Sequence, residues 1–223
     1  MDEVSPSRPR LMLITDAEHS ALPIERVALA AVRGGVDVVQ VREPRLSDGA
    51  LVTLVRRMID TVGPLGARVV VNERLDVALA AGAAGVHLKS NSLDPRSVRR
   101  ILDDLAVTNF LVGLSTHRAD ELIAASRSSA VDYCCVGPLH ATGSQGAALE
   151  AEGFAALLLE ARQAGAPCHY LALGGVGPDD GRLLASLALP GEGWGLAAIR
   201  PFSRPTSETE IESVAAQFRQ ALA

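Results

Sequence analysis

Two side chains in this sequence could move a proton near neutral pH, and both stand where an apolar run gives way to polar residues. His117, in GLSTHRADE, carries an imidazole whose ordinary pKa lets it take and return a proton. Glu73, in VVVNERLDV, offers a carboxylate between Asn72 and Arg74. His140 is a second-rank acid–base candidate, His87 lies inside an apolar run and reads as a hydrogen-bonded interior residue, and His19 and His169 read as peripheral. A different chemistry, anion binding, is suggested by LALGGVGPDD, where Gly174 and Gly175 follow an apolar run and precede a helix start at Pro178. Glycine lets the backbone come close to an anion, and free N–H groups then point at it. The next apolar run ends as GLAAIRPF, whose amides at Ile199 and Arg200 would complete a phosphate cradle, with the Arg200 charge beside it.

These groups need elements to hold them. Short apolar runs at 11–15, 36–42, 68–72, 85–88, 110–115, 131–137, 170–174 and 195–199 read as strands buried on both faces. Between and after them, 3.6-residue patterns at 24–34, 48–62, 75–81, 95–105, 119–125, 153–164, 179–187 and 208–221 read as helices. Eight strands alternating with eight helices predict an α/β fold, a single (β/α)8 TIM barrel. A doubly wound sheet would use the same alternation, but no GxGxxG follows the first run. Residues 10–223 read as one barrel domain behind a flexible lead-in at 1–9. Barrel chemistry collects at the C-terminal ends of the strands. That rule selects Thr15, Asp16, Gln40, Arg42, Asn72, Glu73, Lys89, Ser115 and His117, the stretch 137–145, and the Gly174–Gly175 and Ile199–Arg200 turns.

Composition narrows the partners. Aromatic residues make up 3% of the chain and the net charge is −5, which argues against a general nucleic-acid binder. No apolar run reaches membrane-spanning length, and MDEVSPSRPR has no apolar segment of a secretory leader. Cys134, Cys135 and Cys168 form no CxxC and no metal spacing. The expectation is a cytoplasmic protein whose partner is a small molecule, not a nucleic acid or a membrane.

The stretches LMLITD, VVQVRE, VVVNERLDVALAAGAAGVHL, VGLSTHRADEL, VDYCCVGPLHAT and LALGGV resemble, in order and spacing, the thiamine phosphate synthase/TenI superfamily. The resemblance runs over about residues 10–202 and implies a (β/α)8 barrel that binds a thiazole phosphate or thiamine phosphate. Gln40, Arg42, Asn72, Ser115, Thr142 and Ser144 fall at substrate-binding positions, and Gly174, Gly175, Ile199 and Arg200 at the phosphate end. The superfamily holds two chemistries. Synthases join hydroxymethylpyrimidine diphosphate to a thiazole phosphate with the help of magnesium. TenI-type tautomerases move a proton to aromatise a thiazole phosphate carboxylate. His117 falls on the histidine proposed as the tautomerase base, although synthases commonly carry a histidine there too.

Departures from the pattern gather at the diphosphate end. The motif QLREK reads QVREP, with Pro44 in place of lysine; NDR reads Asn72, Glu73, Arg74; and GPxxxTxTK reads GPLHATGSQ, with Gln145 in place of lysine. After GVHL, where synthases carry a metal-binding aspartate, the chain has Lys89, Ser90, Asn91 and Ser92. These losses lead to the expectation of a TenI-like thiazole tautomerase, an isomerase with His117 and Glu73 as catalytic groups, no metal ligand and no cofactor. The alternatives are an atypical thiamine phosphate synthase, needing Mg2+, and a non-catalytic regulatory protein that binds the phosphate ester. Superfamily members often self-associate, so a homo-oligomer is left open.

Overall fold

The structure is a computed structural model that describes residues 9–141, 148–164, 169–187 and 193–222. Eight parallel strands form a closed barrel in sequence order, with the last pairing the first. They are β1 (Leu11–Ile14), β2 (Val38–Val41), β3 (Arg68–Asn72), β4 (Gly85–Leu88), β5 (Leu111–Thr116), β6 (Tyr133–Val136), β7 (His169–Leu173) and β8 (Trp194–Ala198). The helices are α1 (Ile24–Arg33), α2 (Asp48–Val62), α3 (Leu75–Ala81), α4 (Pro95–Asp104), α5 (Ala119–Ser126), α6 (Glu150–Gln163), α7 (Pro178–Ser186), α8 (Arg200–Ser203) and α9 (Glu208–Ala221). This is the expected single (β/α)8 barrel.

Side chains alternate across each strand, so each strand feeds two cores. Met12, Ile14, Val38, Val70, Leu111, Tyr133, Cys135, Leu171 and Ala197 fill the barrel interior. Leu11, Leu13, Val39, Val41, Val69 and Val71 face outward into the layer packed by the helices. The two-residue step from the interior set carries Gln40, Asn72, Ser115 and Ile199 onto the inner face toward the C-terminal mouth, and the Asn72–His87 register places His87 beside them. At the opposite end the Asp37 carboxylate accepts from Arg10 N at 3.0 Å and ties the start of β1 to β2. Burial raises its pKa despite those backbone hydrogen bonds.

Most boundaries shift by a residue or two from the sequence pattern, and three differences stand out. β2 is shorter than 36–42, and α6 begins at Glu150, because its buried series starts at Ala151 and continues through Phe154, Ala155 and Leu158. The helix α8 was not expected. Ile199 already has helical angles (φ −113°, ψ −70°), and Pro201 suits a first turn, so the chain coils immediately after β8. Of the lead-in, only Pro9 falls among the described residues. It is buried, and its carbonyl accepts a hydrogen bond from His169, itself an interior residue of β7 and not a peripheral one. Among the described residues, no helix is long and apolar enough to cross a membrane.

Candidate active site

The β7 and β8 ends carry the residues expected to hold a phosphate. Gly174 and Gly175 have φ of 98° and 70°, angles that L side chains rarely adopt. The turn is also tight: a Cβ on Gly174 would lie 2.7 Å from Pro138 Cβ, and one on Gly175 would lie 2.8 Å from His140 Cβ. Gly174, Gly175, Ile199 and Arg200 all line one cavity of about 920 Å³, joined by Asp16 from the β1 end. Arg204, Thr206, Glu210 and Val214 line the same cavity. The structure thus brings together the four residues expected at the phosphate end.

His140 braces this turn. Its Nε2 lies 2.7 Å from Asp180 Oδ1 and its Nδ1 3.2 Å from Glu150 Oε2. Asp180 Oδ2 in turn accepts from Gly177 N at 2.7 Å, at the start of α7. Asp180 raises the imidazole pKa most, with Glu150 adding to it. Both ring nitrogens are engaged, so His140 is a clamp between the β6 and β7 loops and not the spare acid–base group its sequence position suggested.

A second groove, of about 200 Å³, lies at the ends of β2, β3 and β4 and is lined by Arg42, Pro44, Asn72, Glu73, Arg74 and Lys89 among others. Glu73 has φ 62°, and its backbone N–H donates to the His87 carbonyl at 2.8 Å, which turns the chain out of β3. Its carboxylate accepts a short hydrogen bond from Lys89 Nζ. Arg74 is held by Asp48 and Asp76 at 2.6 and 2.7 Å, whereas among the described residues no ion pair engages the exposed Arg42 guanidinium. Glu43, half-buried, accepts from Thr15 Oγ1 at 2.6 Å and from Ala17 N at 3.1 Å. Burial raises its pKa above the usual carboxylate value, and the Thr15 hydrogen bond opposes the rise. It serves as a tether between the β1 and β2 loops.

Magnesium takes an octahedral shell of oxygens. Glu73 supplies one carboxylate already paired with an ammonium, and Ser90, Asn91 and Ser92 supply none. Among the described residues, no group of three His, Cys, Asp or Glu side chains could hold a metal. Both carboxylates lining the groove are engaged within the protein, Glu73 by Lys89 and Glu43 by Thr15 Oγ1 and Ala17 N.

The remaining candidates stand around the mouth or below it. Gln40 is buried, with Nε2 3.6 Å from Met12 Sδ. Ser115 Oγ lies 2.9 Å from His87 Nε2. His117 donates from Nδ1 to the Gly137 carbonyl at 2.8 Å, because a carbonyl only accepts; that leaves Nε2 as the atom open to a ligand. His117 lines neither of the two cavities. Thr142 and Ser144 lie outside the described residues, as does Gln145. Sequence reasoning missed the His140–Asp180 clamp, the Thr15–Glu43 tether and the Lys89–Glu73 pair. The strand-end rule picked out Thr15, Glu73, Lys89 and the stretch holding His140, but not how they pair.

The thiamine monophosphate synthase family matches residues 11–190. A thiamine-phosphate synthase from Azorhizobium caulinodans is 42% identical over 154 residues, covering 66% of this chain and 69% of that protein. One from Agrobacterium fabrum is 33% identical over 220 residues, 96% of this chain and 93% of that protein. A thiamine phosphate pyrophosphorylase from Pyrococcus furiosus has the same fold, with a TM-score of 0.79 at 21% identity over 96% of this chain and 95% of that one. These relatives overturn the expected thiazole tautomerase, and the isomerase class with it, because they are named synthases. The expectation rested on missing lysines and a missing metal carboxylate, with Lys89 weighed as a replacement charge; the structure places Lys89 in the groove, paired with Glu73.

Proposed function

The chain belongs to the thiamine monophosphate synthase family, and from that premise we propose that it is a thiamine phosphate synthase, a transferase that joins hydroxymethylpyrimidine diphosphate to a thiazole phosphate. The observation that carries this reading is the presence of two separate anion-ready ends on one face of the barrel. One is the Gly174, Gly175, Ile199 and Arg200 cradle; the other is the groove that holds Arg42, Asn72 and Lys89. Two phosphorylated substrates repel one another, so a site that joins them needs two such ends. A tautomerase with one phosphate ester would need only the first.

In the coupling step the thiazole nitrogen lone pair forms a C–N bond to the pyrimidine methylene. The C–O bond to the diphosphate breaks, its electrons leave with pyrophosphate, and the thiazole ring becomes cationic. The attacking nitrogen carries no proton, so the bond-forming step asks for no general base. Glu73 then serves to aim Lys89, and His117 serves as a rim contact through Nε2. Fixed cations stabilise the charge that develops on the leaving pyrophosphate. Arg42 and Lys89 supply such cations here. Gln40, Asn72 and Ser115 on the inner face, with Thr142 and Ser144 by resemblance, hold the two rings in line.

The test is to incubate the full chain with both substrates and follow pyrophosphate release together with thiamine phosphate, oxidised to a fluorescent thiochrome. Equal amounts of the two products are expected. Binding of both phosphate esters by calorimetry, with no product formed, would overturn the reading.

A further inference from the structure

Below the mouth, three polar side chains form a chain that neither anion end uses. Tyr133 and His87 are buried, with ring centroids 5.6 Å apart and planes inclined by 27°. Tyr133 Oη lies 3.2 Å from His87 Nδ1, and His87 Nε2 lies 2.9 Å from Ser115 Oγ. Gly113, on the strand between them, makes the room: a Cβ there would fall 2.2 Å from Tyr133 Cζ and 2.6 Å from His87 Nδ1. Apolar side chains would fill the same space without the cost of burying three polar groups.

Counting protons gives the chain a direction. Burial pushes His87 down to about 4, so at neutral pH its ring is uncharged, with one nitrogen a donor and the other an acceptor. If Nδ1 carried the hydrogen, Tyr133 Oη would accept it. The Tyr133 hydroxyl hydrogen would then be buried without an acceptor, since among the described residues His87 is its hydrogen-bond partner. A stranded donor costs more than a spare lone pair on an oxygen already bonded once. The other arrangement strands nothing. Tyr133 O–H donates to Nδ1, Nε2–H donates to Ser115 Oγ, and the Ser115 hydrogen is left facing the partly open end of β5.

We infer that His87, held in its Nε2–H form by Tyr133, is a positioning residue that fixes the Ser115 hydroxyl as a hydrogen-bond donor toward an acceptor atom of the substrate in the barrel mouth. Without that bond the serine rotor would be free to spend its hydrogen inward on the imidazole. The substrate half of the inference rests on the synthase reading; the tautomer does not.

Two measurements test it. Long-range 1H–15N NMR of the full chain, with His87 assigned by the signal lost in His87→Gln, should show Nε2 protonated and Nδ1 bare. An Nδ1–H ring overturns the inference whatever the activity. In the coupling assay, His87→Leu should lower kcat/KM about tenfold, the worth of one hydrogen bond. His87→Gln, whose amide can accept from Tyr133 and donate to Ser115, should restore most of that loss. In a Ser115→Ala background, His87→Leu should change kcat/KM by less than about twofold, as expected when one residue acts through the other. An equal loss in both backgrounds overturns the positioning role. No coupling by the unaltered chain refutes the proposed function while the tautomer is still read by NMR, so the two failures are distinct.

Discussion

His87 titrates at about 4 in the folded chain because the barrel interior strips water from the imidazolium, against an ordinary 6.5 in the unfolded chain. Between those values the unfolded chain binds the proton more readily, so this contribution to stability is lost as pH falls through the window. At 1.36 kcal/mol per pH unit the whole gap amounts to about 3 kcal/mol, of which about 2 kcal/mol is lost between pH 7 and pH 5. Other groups pull the opposite way. Asp180 and Glu150 raise His140, whose stabilisation is full below 6.5 and lost as pH rises through its folded value. Burial raises Asp37 and Glu43, so acidification strengthens the fold through them as well. A single stability curve mixes these terms, and a variant difference separates them. His87→Gln keeps the hydrogen-bonding pattern but cannot titrate. Urea unfolding followed by circular dichroism should show wild type losing about 2 kcal/mol relative to His87→Gln between pH 7 and pH 5. A difference that stays flat within about 0.5 kcal/mol over that range, near the limit of such extrapolations, refutes a neutral, desolvated His87.

Lys89→Ala should lower kcat/KM for coupling by about 10- to 100-fold through loss of a charged contact, while changing urea stability by less than about 1 kcal/mol, since its pair with Glu73 is partly solvated. Gly175→Ala forces a side chain into a left-handed turn against His140, so it should cost about 1–2 kcal/mol of stability and weaken calorimetric binding of the thiazole phosphate. Gly113→Ala pushes a methyl group into the His87–Tyr133 pair and should cost about 1–3 kcal/mol, read as a lower Tm. Calorimetric titration of the substrate-free protein with magnesium should show no Glu73-dependent heat; a tight site abolished by Glu73→Gln would restore a resident metal.

Much of the site's frame was legible in the chain because it follows from local rules. Runs such as Arg68–Asn72 and Gly85–Leu88 read as strands because Val69, Val70, Val71, Val86 and Leu88 give them an apolar, β-prone centre, even with Asn72 and His87 on the inner face. The Gly174–Gly175 turn was legible because its backbone angles exclude other residues. The functional branch was not: Pro44, Gln145 and residues 89–92 together read as losses at the diphosphate end, and relatives named synthases overturn the tautomerase expectation built on them. Which charges share one groove is set by neighbouring strand ends, and charge adds up over space, not over sequence.

Sequence by itself therefore determined the eightfold alternation, the Gly174–Gly175 turn and the strand ends that meet at one face of the barrel. Closure of the barrel decided the rest. It set Lys89 against Glu73 across neighbouring strand ends, joined His140 to Asp180, and threaded Tyr133, His87 and Ser115 through the gap left by Gly113. Each of these contacts depends on the register between strands, and register is fixed by the whole ring of hydrogen bonds at once.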